Sequence, residues 1–90
     1  MVDIAAQFGD NVARHRRLAD LSQEELSLRA SLHRTEISQL ERGLRLCRID
    51  TLIKVKDALE VSADDLLAGI TWRSGVYAPG GFSTAKEGEG

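Results

Sequence analysis

The stretch QEELSLRASLHRTEISQLERG, residues 23–43, decides how this chain folds. Its apolar residues recur at helical spacing, Leu26 with Ala30 and Ile37 with Leu40, and never alternate as a strand would. Ser22 precedes Gln23, Glu24 and Glu25, so its hydroxyl can cap a helix over residues 23–30 while Glu25 closes the capping box. A second helix starts near His33 or Arg34 and runs to about Arg42, and Gly43 just beyond it is a natural left-handed stop. With only about three residues between them, the two helices meet in a tight corner through Leu26, Ala30, Ile37 and Leu40, and the outer face of the second stays free.

The same periodicity extends outward over residues 4–70. A helix over residues 4–18 carries Phe8, Val12 and, one turn on, His15 on its inner face. After a connector at residues 44–49, Asp50 can cap a fourth helix whose inner stripe is Leu52, Ile53, Val55, Ala58 and Leu59. Ser62 caps a fifth over residues 63–68, closed by Gly69. The expected fold class is therefore all-α, a compact five-helix domain with no internal repeat. From Thr71 the composition changes to an irregular tail, residues 71–90, with five glycines, the only proline and no helical period. It holds Trp72, Tyr77 and Phe82, three of the four aromatics. Either they fold back over the body's apolar edge or they join a dimer contact, since interfaces are enriched in Tyr and Trp. Residues 85–90 read as disordered.

Ninety residues make one domain, which excludes a two-domain enzyme, and 42% apolar with 29% charged residues excludes wholesale disorder. There is no apolar run long enough for a membrane span and no basic, apolar leader at the N-terminus, so a cytoplasmic protein is expected. Cys47, the only cysteine, can form neither an internal disulfide nor a thiolate metal site, and no metal or cofactor is expected. It reads as a small buried or half-buried residue. Net charge is −2, but the distribution is uneven: residues 1–48 carry eight arginines against seven acids, whereas residues 49–90 carry four cations against seven acids. Arginine suits phosphates and guanine edges.

The free outer face of the second helix of the corner is polar: Arg34, Thr35, Ser38 and Gln39. Arg and Gln can read base edges through paired hydrogen bonds and Thr through its hydroxyl or methyl, provided the helix lies in a major groove. At these residues the sequence resembles the phage repressor and Cro-like helix-turn-helix family, also called Xre. The resemblance covers about residues 8–70 and rests on Arg16, LSQEEL at 21–26, ISQLERG at 37–43, TLIKVKDAL at 51–59 and VSADDLL at 61–67. It implies a five-helix domain over residues 4–70 that binds operator DNA, usually as a dimer. It also implies that Arg34, Thr35 and Gln39 read bases, with His33 and Ser38 as flanking contacts. Gln23, Arg42, Arg45 and Arg48 match phosphate positions, and Arg16 and Glu41 match a pair that ties helix 1 to the recognition helix.

Departures from that pattern are Asp20 and Ser31, which stand where glycine is common, at roughly 1 kcal/mol each if held left-handed. Ser27 replaces a small Ala and is tolerable if its hydroxyl bonds back to a helix carbonyl. His15 reads as a partly buried neutral residue, with no second ligand at metal spacing. The expected function is a sequence-specific double-stranded-DNA-binding regulator, a repressor acting as a homodimer without catalysis or a small-molecule ligand. Leu66, Leu67, Ile70, Trp72 and Tyr77 are the expected dimer contact, because they are more apolar surface than so small a body hides. The alternatives are an antitoxin or restriction-modification controller of the same fold, or a protein-interaction module that no longer binds DNA. An enzyme is the weakest reading: no phosphate-cradling glycine loop is present, and His15, His33 and Cys47 lie on different elements.

Overall fold

The computed structural model describes residues 3–75 and 79–85. Among them form the helices α1 (Ile4–Leu18), α2 (Gln23–Ala30), α3 (Arg34–Glu41), α4 (Ile49–Leu59) and α5 (Ala63–Leu66), then the short strands β1 (Thr71–Arg73) and β2 (Gly81–Ser83). No helix among these residues is long and apolar enough to cross a membrane.

The corner forms as its spacing requires. Ser22 Oγ accepts from the Glu25 amide at 3.0 Å, and the Ser22 amide donates back to Glu25 Oε1 at 3.1 Å. Donation from the Ser22 amide, and then from its hydroxyl, holds the Glu25 carboxyl below the usual carboxylate range. Ser31 turns left-handed at φ 54, and the Ser27 hydroxyl donates to the Glu24 carbonyl at 2.6 Å, so neither departure opens the corner. Leu26, Ala30, Ile37 and Leu40 meet between the two helices and join Phe8, Val12, Leu21, Val55, Leu59 and Leu66 in one buried core.

Helix α1 closes this core from below, and what fixes it there is a close approach and a buried amide. Gly9 lies against the end of α3, where a Cβ would press on the Leu40 carbonyl and stand 2.8 Å from the Glu41 carbonyl oxygen. Asn11, only 2% exposed, donates to the Leu66 carbonyl at 2.8 Å and the Ala68 carbonyl at 2.9 Å, and accepts from Gln7 Nε2 at 3.2 Å. Those bonds take up carbonyls at the end of α5, which stops at Leu66 and so falls short of the expected residue 68.

Two expectations for α4 are corrected. Asp50 is not its cap: the Leu52 amide already donates to the Arg48 carbonyl at 2.9 Å, so the ladder opens at Arg48 and Asp50 sits inside the first turn. Ile53 is 49% exposed, because the stripe Leu52, Val55 and Leu59 faces the core and Ile53 lies a hundred-degree step off it.

The tail, expected to be irregular, pairs its ends as an antiparallel ribbon with Thr71 opposite Ser83, Trp72 opposite Phe82 and Arg73 opposite Gly81. Trp72 and Phe82 meet edge to face, ring centroids 5.0 Å apart, the kind of cross-strand pair that stabilises a sheet. Tyr77 and residues 86–90 lie outside the described residues.

Two substitutions at backbone-determined positions have opposite expected effects in urea unfolding. Gly9→Ala forces α1 off α3 and costs about 1–3 kcal/mol. Glu60, exposed and left-handed at φ 58 after α4, gains about 0.5–1 kcal/mol as Gly, because that position is a helix stop. An unchanged midpoint for Gly9→Ala would mean that the α1–α3 contact is not as close as described.

Candidate nucleic-acid interface

Helix α3 is amphipathic over eight residues. Ile37 and Leu40 are 0% and 2% exposed on its inner side. Arg34 and Thr35 are exposed and Ser38 and Gln39 half-buried on its outer side, where positions three and four apart share a face. His33 is exposed at the N-cap, and its amide donates to Glu36 Oε1 at 3.3 Å. Four of the five residues expected to face bases, Arg34, Thr35, Ser38 and Gln39, thus share the outer side of α3, and His33 stands ahead of them at the cap.

The helix is held in place at its C-terminal end. Arg16 Nε donates to Glu41 Oε2 at 2.6 Å and Nη2 to Glu41 Oε1 at 3.0 Å, while Nη1 donates to the Leu21 carbonyl at 2.8 Å. The side chains are 12% and 6% exposed, so the pair is largely shielded from solvent at the floor of a cleft, and the hydrogen bonds to the Glu41 carboxylate drive the guanidinium pKa still higher. Gln23, expected to hold a phosphate, spends its side-chain amide on Glu41 Oε1 at 3.0 Å. Sequence spacing could not show this, because Gln23 and Glu41 become neighbours only once the corner closes.

Two polar clefts flank α3. One, of about 460 Å³, is walled by Arg17, Gln23 and Arg42 around the Arg16–Glu41 pair. The other, of about 510 Å³, lies between α3 and α4 and is walled by Gln39, Arg45, Arg48 and Lys54. Arg34 and Arg42 make no ion pair among the described residues. Arg45 stands 3.6 Å from Glu36 and Arg48 3.3 Å from Asp50, both as exposed pairs of the sort that contributes about 0–1 kcal/mol. Arg17 and Lys54 carry no distinguishing sequence signal and emerge only from the clefts they line.

Cys47 is half-buried, as expected. Burial, then Asp50, pushes its thiol up to about 11 against the opposing pull of Arg45, so it stays protonated near neutrality. Its Sγ donates to the Arg48 carbonyl at 3.2 Å. Among the described residues no three His, Cys, Asp or Glu side chains gather as a metal site.

A buried two-helix corner, braced from α1 and presenting a polar outer helix between basic clefts, defines a helix-turn-helix DNA-binding domain. The chain belongs to the HTH_3 helix-turn-helix family of transcriptional regulators, whose profile matches residues 12–66. Control protein C.BamHI of Bacillus amyloliquefaciens is 41% identical over 66 residues, which cover 72% of this chain and 82% of that protein. Control protein C.SmaI of Serratia marcescens is 39% identical over 66 residues, 73% of this chain and 79% of that one. Among solved structures, the restriction-modification controller protein C.AhdI from Aeromonas hydrophila superimposes with a TM-score of 0.67 at 29% identity, over 69% of this chain and 94% of that one.

Breaking the brace has a defined cost. Glu41→Leu leaves Arg16 without its counter-charge and lowers stability by about 3 kcal/mol, whereas replacing both Arg16 and Glu41 by Leu costs less than Arg16→Leu and Glu41→Leu added together. Urea unfolding of the four proteins checks this, and strictly additive effects would show that the pair is not coupled.

Proposed function

We propose that the protein is a transcriptional repressor that reads a near-palindromic operator as a homodimer and catalyses nothing. The observation that carries this is the outer face of α3, where Arg34, Thr35, Ser38 and Gln39, with His33 at the cap, stand free above fully buried Ile37 and Leu40. Laid in a major groove, Arg34, Thr35 and Gln39 discriminate bases at about 1–3 kcal/mol per good contact. Arg42, Arg45 and Arg48, together with the amide end of α2 at Gln23, supply phosphate contacts that set register and make binding fall with salt. This reading takes residues 4–70 as the DNA-binding unit and residues 71–90 as an appended tail, in a cytoplasmic protein.

A lone eight-residue helix reads few base pairs, and a two-fold dimer sets two such helices about 34 Å apart on successive turns of DNA. The dimer contact we propose runs over Leu67, Ile70 and Trp72. Leu67 is 39% and Trp72 57% exposed beside Phe82 at 45%, around an apolar hollow of about 350 Å³. Leu66, grouped with them from sequence, is 0% exposed, and its side chain is spent on the core. Tyr77 lies outside the described residues.

A second reading, a restriction-modification controller, is favoured by the names of the relatives C.BamHI, C.SmaI and C.AhdI. It shares the same DNA-reading surface and differs in the genes controlled, so a neighbouring endonuclease gene separates the two.

Selection from a randomised duplex pool and from the protein's own upstream DNA, at two salt concentrations, tests the proposal. The expected result is an inverted repeat, bound more weakly at high salt and lost when Arg34, Thr35 and Gln39 are all changed to Ala. Absence of DNA binding by the unaltered protein at low salt would sink it. Removal of residues 72–90 is expected to shift sedimentation from dimer to monomer, and a truncated protein that stays dimeric would exclude the tail from the contact.

A further inference from the structure

The cleft between α3 and α4 contains more positive charge than its expected role uses. Gln39 of the outer face forms part of its wall, and Arg45, Arg48 and Lys54 line it together with Glu36 and Asp50. Glu36 holds Arg45 at 3.6 Å and Asp50 holds Arg48 at 3.3 Å. Lys54, exposed on α4, has no ion-pair partner among the described residues. Three cations against two carboxylates leave the cleft net positive beside a base-reading side chain.

We propose that this cleft seats one phosphodiester of the bound DNA strand, with Lys54 as a cation of the site and Glu36 and Asp50 as the groups the phosphate displaces. The inference rests on the DNA-binding reading above and adds to it a residue and an exchange. Exposed ion pairs hold weakly, whereas Arg grips a phosphate through two parallel N–H bonds, so the exchange favours the phosphate. In the free protein the two carboxylates partly neutralise Arg45 and Arg48. They also lower the attraction of the cleft for a poorly seated strand.

The test is the salt dependence of binding, by fluorescence anisotropy, to the protein's own upstream DNA and to a random-sequence duplex. Four proteins are compared: unaltered, Lys54→Gln, Asp50→Asn and Arg14→Gln, the last removing an exposed cation from α1 as a control, with melting curves to confirm folding. Lys54→Gln is expected to weaken binding several-fold on both duplexes and to flatten the slope of log K against log salt, by no more than about 0.9 because Arg45 and Arg48 still engage the phosphate. Asp50→Asn is expected to tighten binding to both. An unchanged slope for Lys54→Gln, or an equal loss in Arg14→Gln, overturns the cleft while leaving DNA binding intact. No binding by the unaltered protein at low salt overturns the DNA reading itself.

Discussion

Everything the recognition helix does depends on the buried fork between Arg16 and Glu41. One guanidinium, at the end of α1, satisfies both oxygens of a carboxylate at the end of α3 and the carbonyl of Leu21 ahead of α2. Three elements are thereby fixed by one planar group whose geometry permits little play. Gln23 completes the set from the start of α2. Because the pair is largely shielded from solvent, loss of either partner would leave the other without its counter-charge.

Around this fixed point the polar residues divide by burial. Those that are buried serve structure: Asn11 at 2% exposure binds carbonyls, and Ser27 at 4% binds its own helix. Those that are exposed on α3 and in the connector have weak partners or none, and so remain available to a ligand. A chain with net charge −2 can still approach a polyanion, because the excess of acids lies in residues 49–90 while Arg17, Arg42, Arg45 and Arg48 line the clefts beside α3.

Much of this architecture follows from short-range chemistry, and there the sequence is informative. Ser22 with Glu25, Ser62 as the cap of α5, Gly43 as a stop and Ser31 held left-handed all act within a turn or so of themselves, so local spacing reveals them. The face of α3 is equally readable, since Ile37 and Leu40 fix which side is in. What sequence spacing does not reveal depends on distant partners. Gly9 is special only because α3 ends against it, and Asn11 only because α5 arrives beside it. Gln23 looks like a free helix-start residue until Glu41 comes within reach. Strands of three residues carry no periodic signal, and Thr71–Arg73 becomes a strand only because Phe82 is placed opposite Trp72. Asp50 and Ile53 differ from expectation for smaller reasons: the first turn of α4 opens at Arg48, and Ile53 stands a hundred-degree step off the stripe of Leu52, Val55 and Leu59.

The Asn11 amide also bears on how the molecule comes to be folded. Its acceptors lie 55 and 57 residues further along the chain. The α2–α3 corner, by contrast, closes between near neighbours. During synthesis the corner can therefore assemble early, while α1, although first to emerge, has no complete seat until the residue 66–68 segment is made. Helix α1 thus has part of its seat from α3, through Gly9 and Arg16, and the rest only from a segment more than fifty residues away.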